Sequence, residues 1–110
     1  MLPKTAAFAV LATLAMAQPL AAEEHYVLIM GEGFFPETSY VQDGDTIRFI
    51  NSVEDVHSAT ARDGSWTSGD LASSGFFILD VAQGVKQSFT SSRDDTMSGQ
   101  FIFGEAPLTD

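Results

Sequence analysis

The chain consists of short apolar segments separated by turn residues, and this pattern restricts the fold more than any other feature. The segments span residues 25–30, 38–42, 46–51, 57–61, 76–81, 86–91 and 100–104. None of them continues with the three-to-four residue apolar period of a surface helix. In the third segment Ile47 and Phe49 alternate with Arg48, as in a half-buried strand. The pattern predicts an all-β protein with little or no helix, arranged as an antiparallel sandwich.

The N-terminal stretch has the composition of a secretory signal peptide. One lysine is followed by an apolar run and then by small residues, and the run is too short to span a bilayer. Cleavage after Ala17 satisfies the small-x-small rule, whereas cleavage after Ala22 exposes the first acidic residues, and we favour Ala22. We therefore expect a leader at 1–22 and one domain at 23–110. The domain would be periplasmic or secreted, with no stable membrane insertion after cleavage.

Charge and cysteine content exclude several classes of function. The chain has 15 acidic and 5 basic residues, which gives a net charge of −10. Such a surface repels nucleic acid and anionic lipid, and it favours a basic protein partner or a cation. The chain contains no cysteine, so thiolate metal ligands, thiol catalysis and iron–sulfur clusters are excluded.

Two segments carry a recognisable motif. "GFFPETSYVQDGDTIRFINSVEDVHSATA" has an aromatic-x-Pro entry, a Gly-Asp turn, an apolar strand that ends in Asn51 and a loop that delivers His57. "FTSSRDDTMSGQF", residues 89–101, has Phe89, Met97, Gly99 and Phe101 in a tight loop rich in hydroxyl and acidic residues. These four residues match without a gap the closing motif aromatic-x-Cys-x-x-His-x-x-Met-x-Gly-x-apolar of a known family. Together they resemble the cupredoxins, particularly the small plastocyanin, amicyanin and pseudoazurin type. The resemblance implies a cupredoxin-like antiparallel Greek-key β-sandwich. It also implies two adjacent core strands in the Phe89–Phe103 region, joined by a loop at residues 91–99.

The resemblance also implies a type 1 copper site that has lost two ligands. The family binds copper with two histidines, one cysteine and a weak axial methionine. His57 matches the first histidine and Met97 the axial methionine, whereas Ser91 and Asp94 stand where the cysteine and second histidine belong. A serine hydroxyl seldom ionises and a carboxylate is a hard donor, so these four residues would hold copper only weakly. We also expect Asp94 within hydrogen-bond or water-bridge distance of His57.

Each of these residues also has a purely structural interpretation. His57 fits a loop histidine bonded to the backbone or to a nearby acid, and Met97 fits core packing. Asp94 fits a solvated acidic turn with Arg93 beside it.

A second copper motif depends on the cleavage site. If the leader ends at Ala22, the exported chain begins Glu23-Glu24-His25. A free amine, two deprotonated amides and the imidazole of His25 would then offer Cu(II) a square-planar set of nitrogens.

These features predict a binding or interaction module that is not an enzyme and has no firmly bound cofactor. The first alternative is a copper-handling protein that uses His57 and Met97, the N-terminal His25, or both. The second alternative is an electron carrier with an unusual copper site.

Overall fold

The computed structural model describes residues 21–108, in which the chain forms strands and no helix. The strands are β1 (Glu24–Met30), β2 (Gly33–Phe35), β3 (Thr38–Val41), β4 (Thr46–Asn51), β5 (Thr60–Ala61), β6 (Phe76–Asp80), β7 (Ser88–Ser91) and β8 (Asp94–Phe103). The all-β prediction is thus confirmed. Within the described range no helix is long and apolar enough to cross a membrane. Apart from its last two residues, the predicted leader lies outside the described residues.

The strands form two four-stranded sheets. Sheet A has the order β2-β1-β4-β6 and sheet B the order β3-β8-β7-β5. The pairing is mixed rather than purely antiparallel, because β1 runs parallel to β4 and β3 runs parallel to β8. Only Pro36 and Glu37 separate β2 from β3, and the chain crosses from sheet A to sheet B between them. One turn precedes this run and one follows it, so β4 points in the same direction as β1.

The two sheets enclose one core, which forms where the strand alternation turns apolar side chains inward. In β4 the side chains of Ile47, Phe49 and Asn51 are buried and their neighbours are half-buried. The rings of Phe49 and Phe89 meet edge to face across the core, with centroids 5.1 Å apart. The ring of Trp66 lies 5.9 Å from each of them, and its Nε1 donates to the carbonyl oxygen of Lys86. Aromatic contacts of this kind add to the stabilisation that burial provides.

The segment that the resemblance implies to be a ligand loop, residues 91–99, is a hairpin instead. β7 ends at Ser91, β8 begins at Asp94, and the two residues face each other across the turn. Phe89 faces Gly99, so residues 95–98 bulge out opposite the single residue Thr90. The prediction of two adjacent core strands is confirmed, but the long loop between them was wrong. The residues that such a loop would have contained form the bulge of β8 instead.

Candidate functional site at the end of the sandwich

The position of His57 depends on the buried side chain of Asn51. The Nδ2 atom of Asn51 donates to the carbonyl oxygens of Asp55 at 2.8 Å and Leu71 at 2.9 Å. Its Oδ1 accepts the amide of Val53 at 3.1 Å. The backbone of His57 exchanges two hydrogen bonds with Leu71, at 3.2 and 2.7 Å. The loop after β4 is therefore fixed at both ends, and it holds the imidazole in a buried position.

The imidazole of His57 contacts the hydroxyl of Ser91. The Nδ1 atom lies 3.1 Å from Oγ of Ser91, and both side chains are buried. The backbone amides of Ser58 and Arg93 also donate to this Oγ, each at 3.2 Å. The structure thus brings together two of the four predicted site positions. A direct hydrogen bond occupies the gap between them.

A network of hydroxyl groups fills the space around this pair. The Oγ of Ser58 lies 2.8 Å from Oγ1 of Thr60 and donates to Oγ of Ser92 at 3.0 Å. The backbone amide of Ser92 donates in turn to Oγ of Ser58 at 2.8 Å. Among the described residues no buried side-chain nitrogen or oxygen lacks a hydrogen-bond partner. At this end of the sandwich the fully buried side-chain nitrogens and oxygens are therefore all hydrogen-bonded.

The carboxylate of Asp94 does not contact His57 directly. Its Oδ1 accepts hydrogen bonds from the hydroxyl and the amide of Thr96. These two bonds are the main reason why the pKa of Asp94 lies below its usual value, and the nearby His57 makes a smaller contribution. Aspartate side chains often accept local hydrogen bonds of this kind from a residue two positions further along the chain. The structure shows no direct hydrogen bond between Asp94 and His57, and His57 contacts Ser91 instead. The water-bridged form of the expected Asp94–His57 pair stays a prediction.

Met97 is buried in the bulge of β8 and packs in the core. Its carbonyl oxygen accepts a hydrogen bond from the guanidinium of Arg62 at 3.0 Å, and that of Asp95 accepts another at 3.2 Å. Arg62 therefore fixes the backbone of the bulge. These contacts agree with the structural interpretation of Met97 as a core side chain.

The four positions do not fit a type 1 copper ion. Such an ion takes a thiolate and two imidazoles as its strong ligands. Here Ser91 supplies a hydroxyl that already accepts two amide hydrogens, and Asp94 faces Thr96. His57 is the one imidazole in this set, and its Nδ1 is engaged with Ser91.

His25 belongs to a second cluster, at the start of β1. Its Nε2 lies 2.8 Å from Oδ2 of the buried Asp45, whose Oδ1 accepts the backbone amide of Glu23 at 2.9 Å. The potential ligand atoms of Glu23, His25 and Asp45 lie within 4.8 Å of one another. In this arrangement Glu24 and His25 pair with β4 as strand residues. A square-planar copper site built from their amides would require this end of β1 to leave the sheet.

Asp45 is a structural residue that the sequence did not indicate. Its Oδ2 also accepts the amide of Gln42 at 2.9 Å, so one carboxylate holds the β3–β4 turn and the start of β1. Burial alone would raise the pKa of Asp45. The hydrogen bonds from His25 and from the amides of Glu23 and Gln42 outweigh that effect, and the pKa lies below its usual value. In the sequence Asp45 appears only as the second aspartate of the turn "QDGDT", and the turn motif does not reveal that this side chain is buried.

The two packed mixed sheets define a cupredoxin-type β-sandwich. Solved structures agree: a pseudoazurin from a Sinorhizobium species is similar at 20% identity, with a TM-score of 0.56 over 76% of this chain and 75% of that one. An amicyanin from Paracoccus versutus is similar at 15% identity, with a TM-score of 0.62 over 82% and 88% of the two chains.

A copper-containing nitrite reductase from Thermus scotoductus shares the fold as well. The TM-score is 0.65 at 21% identity, and the match covers 86% of this chain but 27% of the reductase. No protein-family model matches the sequence, and no curated protein matches it. At these identities the similarities establish the fold.

Proposed function

We propose that this chain is an exported cupredoxin-like binding module and that it does not transfer electrons through a type 1 copper centre. The observation that carries the proposal is the 3.1 Å contact between His57 Nδ1 and Ser91 Oγ. It stands where the resemblance would place a copper–thiolate centre. Serine has no sulfur, and its hydroxyl stays protonated at neutral pH. This position therefore cannot supply the anionic thiolate that such a centre needs.

The loops at this end support a role in binding a basic protein. The loop that delivers His57 carries the exposed Glu54 and Asp55, and the hairpin adds Asp94 and the exposed Asp95. Val56 gives the same loop an exposed apolar side chain. An acidic surface that also exposes an apolar side chain favours a partner with the opposite charge, and the charge speeds their encounter.

The sequence and fold also support export and a non-catalytic role. The N-terminal stretch has the order of charges and apolar residues that a secretory leader needs. The Ser91 hydroxyl that contacts His57 is fully buried and already accepts two backbone amides, so it is not exposed to a substrate. We therefore propose a periplasmic or secreted protein that acts by contact.

The experiment is a Cu(II) titration of the His25→Gln variant, which disables the N-terminal motif. We expect no intense copper–thiolate band in the visible spectrum and a dissociation constant no tighter than micromolar. The double variant Ser91→Cys/Asp94→His restores the missing donors and is expected to gain the visible band. Ser98→Cys/Asp94→His is the matched control, because Ser98 is an exposed serine of β8, whereas Ser91 is buried against His57. A nanomolar site in the His25→Gln variant would show that His57 and Met97 form a working metal centre.

Copper handling at the N-terminal end is the second candidate function. It is favoured by the three potential ligands Glu23, His25 and Asp45, which lie within 4.8 Å of one another. The same titration tests it, because wild-type protein should then bind Cu(II) at least ten-fold more tightly than His25→Gln, about 1.4 kcal/mol. Equal affinities would eliminate this candidate.

A further inference from the structure

The outer face of sheet A carries a continuous apolar surface. Phe35, Leu28, Ile50 and Phe76 are register neighbours, one from each of the four strands. Tyr26, Arg48 and Ile78 form the adjacent row. The exposed fractions are 67% for Phe35, 55% for Tyr26, 54% for Phe76, 42% for Met30 and 40% for Ile78. All of these side chains alternate with core residues, so they point away from the core.

A sheet with one face on the core usually carries polar side chains on the other. Here three aromatic side chains of about 200 Å² each are more than half exposed, and with Met30 and Ile78 they leave about 500 Å² of apolar area. This is near the upper end for the largest apolar patch of a monomer. The residue types also match the centres of protein interfaces, which are enriched in tyrosine, phenylalanine, methionine and arginine.

The charges on this face are nearly balanced. The charged side chains at its outward positions are Glu24, Arg48 and Asp80, which sum to one negative charge, compared with −10 for the chain. Arg48 Nε donates to Glu24 at 3.3 Å, and the guanidinium lies 4.6 Å from the centre of the Phe76 ring. Glu24 also accepts the hydroxyl of Tyr26 at 3.0 Å. Arg48 is therefore already paired within this face. A partner that covers the face does not have to supply an acidic group for it.

We propose that the outer face of sheet A binds a second copy of this chain in a two-fold symmetric dimer. Two such faces can stack as sheets do in a sandwich, about 10 Å apart. Together with Leu28, Ile50 and Arg48 they would remove about 1,200 Å² from water, the low end for a specific interface. A basic partner would instead be attracted to acidic loops such as those around His57. The proposal is independent of the function assigned to the loops at the His57 end.

The test is sedimentation equilibrium on residues 23–110, which contain all eight strands. We expect a monomer–dimer equilibrium with a dissociation constant of about 10–100 µM, as suits an interface of this size. Association should tighten several-fold between about 0.05 and 0.5 M NaCl, because salt screens the repulsion between two acidic copies. Binding to a basic partner would show the opposite salt dependence.

Phe76→Thr and Ile78→Thr test the surface itself, since threonine preserves the preference for a strand. Each is expected to weaken dimerisation at least ten-fold while circular dichroism shows the native sheet signal. Phe35→Thr on the edge strand β2 is the replacement if either variant unfolds. Val56→Thr is the matched control, because Val56 is an exposed apolar residue away from this face, and it should leave dimerisation unchanged.

Three results would overturn the proposal. Wild-type protein could remain monomeric up to about 0.5 mM, well above the affinity expected for this area. The dimer could form normally in both folded face variants, which would assign it to another surface. The monomeric protein could cosediment with phosphatidylcholine vesicles in a way that depends on Phe76, which would identify a lipid surface as the occupant.

Discussion

At the scale of single residues, Ser91 determines what the imidazole of His57 contacts. The two lone pairs of Ser91 Oγ accept hydrogen bonds from the amides of Ser58 and Arg93. The hydroxyl hydrogen of Ser91 is therefore directed to His57 Nδ1. The neutral imidazole then carries its proton on Nε2. At the position where the resemblance implies a cysteine, the serine side chain thus makes a hydrogen bond to His57.

Gly99 is the second residue that fixes the local structure, because the ring of Phe89 lies where its side chain would be. A methyl group at Gly99 would overlap the aromatic ring, whereas one at Gly33 would meet no atom within 4 Å. Gly99→Ala is expected to lower the free energy of unfolding by about 1–3 kcal/mol, because Phe89 is buried and cannot move aside. Urea unfolding measures the change, with Gly33→Ala as the matched control. Equal stabilities of the two variants would mean that the core at β7 and β8 is loosely packed.

At the scale of strands, the start of β1 is held by the carboxylate of Asp45. Asp45→Asn removes the charge and replaces one of the two acceptor oxygens with an amide NH2, so either Glu23 or the pair Gln42 and His25 loses its acceptor, and we expect a loss of about 2 kcal/mol at pH 7. Because the folded pKa of Asp45 is lowered, its contribution is complete above the unfolded pKa of about 3.9. It is lost as the pH falls through the lower folded value.

The stability difference between wild type and Asp45→Asn should therefore be constant from pH 7 to about pH 5 and should narrow below about pH 4. Urea unfolding at several pH values measures it. Asp80→Asn is the control, because Asp80 is exposed at the end of β6, and it should show little change at any pH. A difference that stays constant down to pH 3 would mean that Asp45 acts through shape rather than charge.

The strands also show which parts of the fold the sequence could predict. β4 was predicted with its observed ends, because Ile47 and Phe49 alternate with polar or half-buried neighbours. β2 was missed because three residues between a turn and Pro36 are too few to show a period. β8 begins six residues earlier than predicted, because the ligand loop assumed at 91–99 is a hairpin. Side-chain alternation also does not identify the neighbouring strand, so the parallel pairs could not be predicted.

The candidate site was predictable only as a set of positions. The resemblance to the cupredoxins placed His57 and Ser91 in one site, and the structure shows that their side chains meet. It could not show that Asp94 would bind Thr96, because that choice depends on the turn after β7. The buried bonds of Asn51 and Asp45 were also hidden, since burial of a polar side chain is set by distant strands.

For the whole molecule, the acidic charge opposes folding. The net charge is −10, and the pairs that offset it, such as Arg93 with Asp70 at 2.6 Å, lie at the surface, where they contribute little. Because salt screens the repulsion between acidic side chains, NaCl should stabilise the fold. Between about 0.02 and 0.5 M NaCl we expect a gain of about 1 kcal/mol, which raises Tm by about 5 °C in a domain of this size.

Thermal unfolding at a few micromolar protein measures this effect, since dimerisation should contribute little at that concentration. The variant Glu54→Gln/Asp55→Asn/Asp95→Asn removes three exposed acids near the His57 end, and its Tm should rise less with salt than that of wild type. Sucrose is the second control, because it stabilises by exclusion from the surface without screening charge, so it should raise the Tm of both proteins equally. A wild-type Tm that falls with added NaCl would mean that ion pairs such as Arg93–Asp70 outweigh the net repulsion.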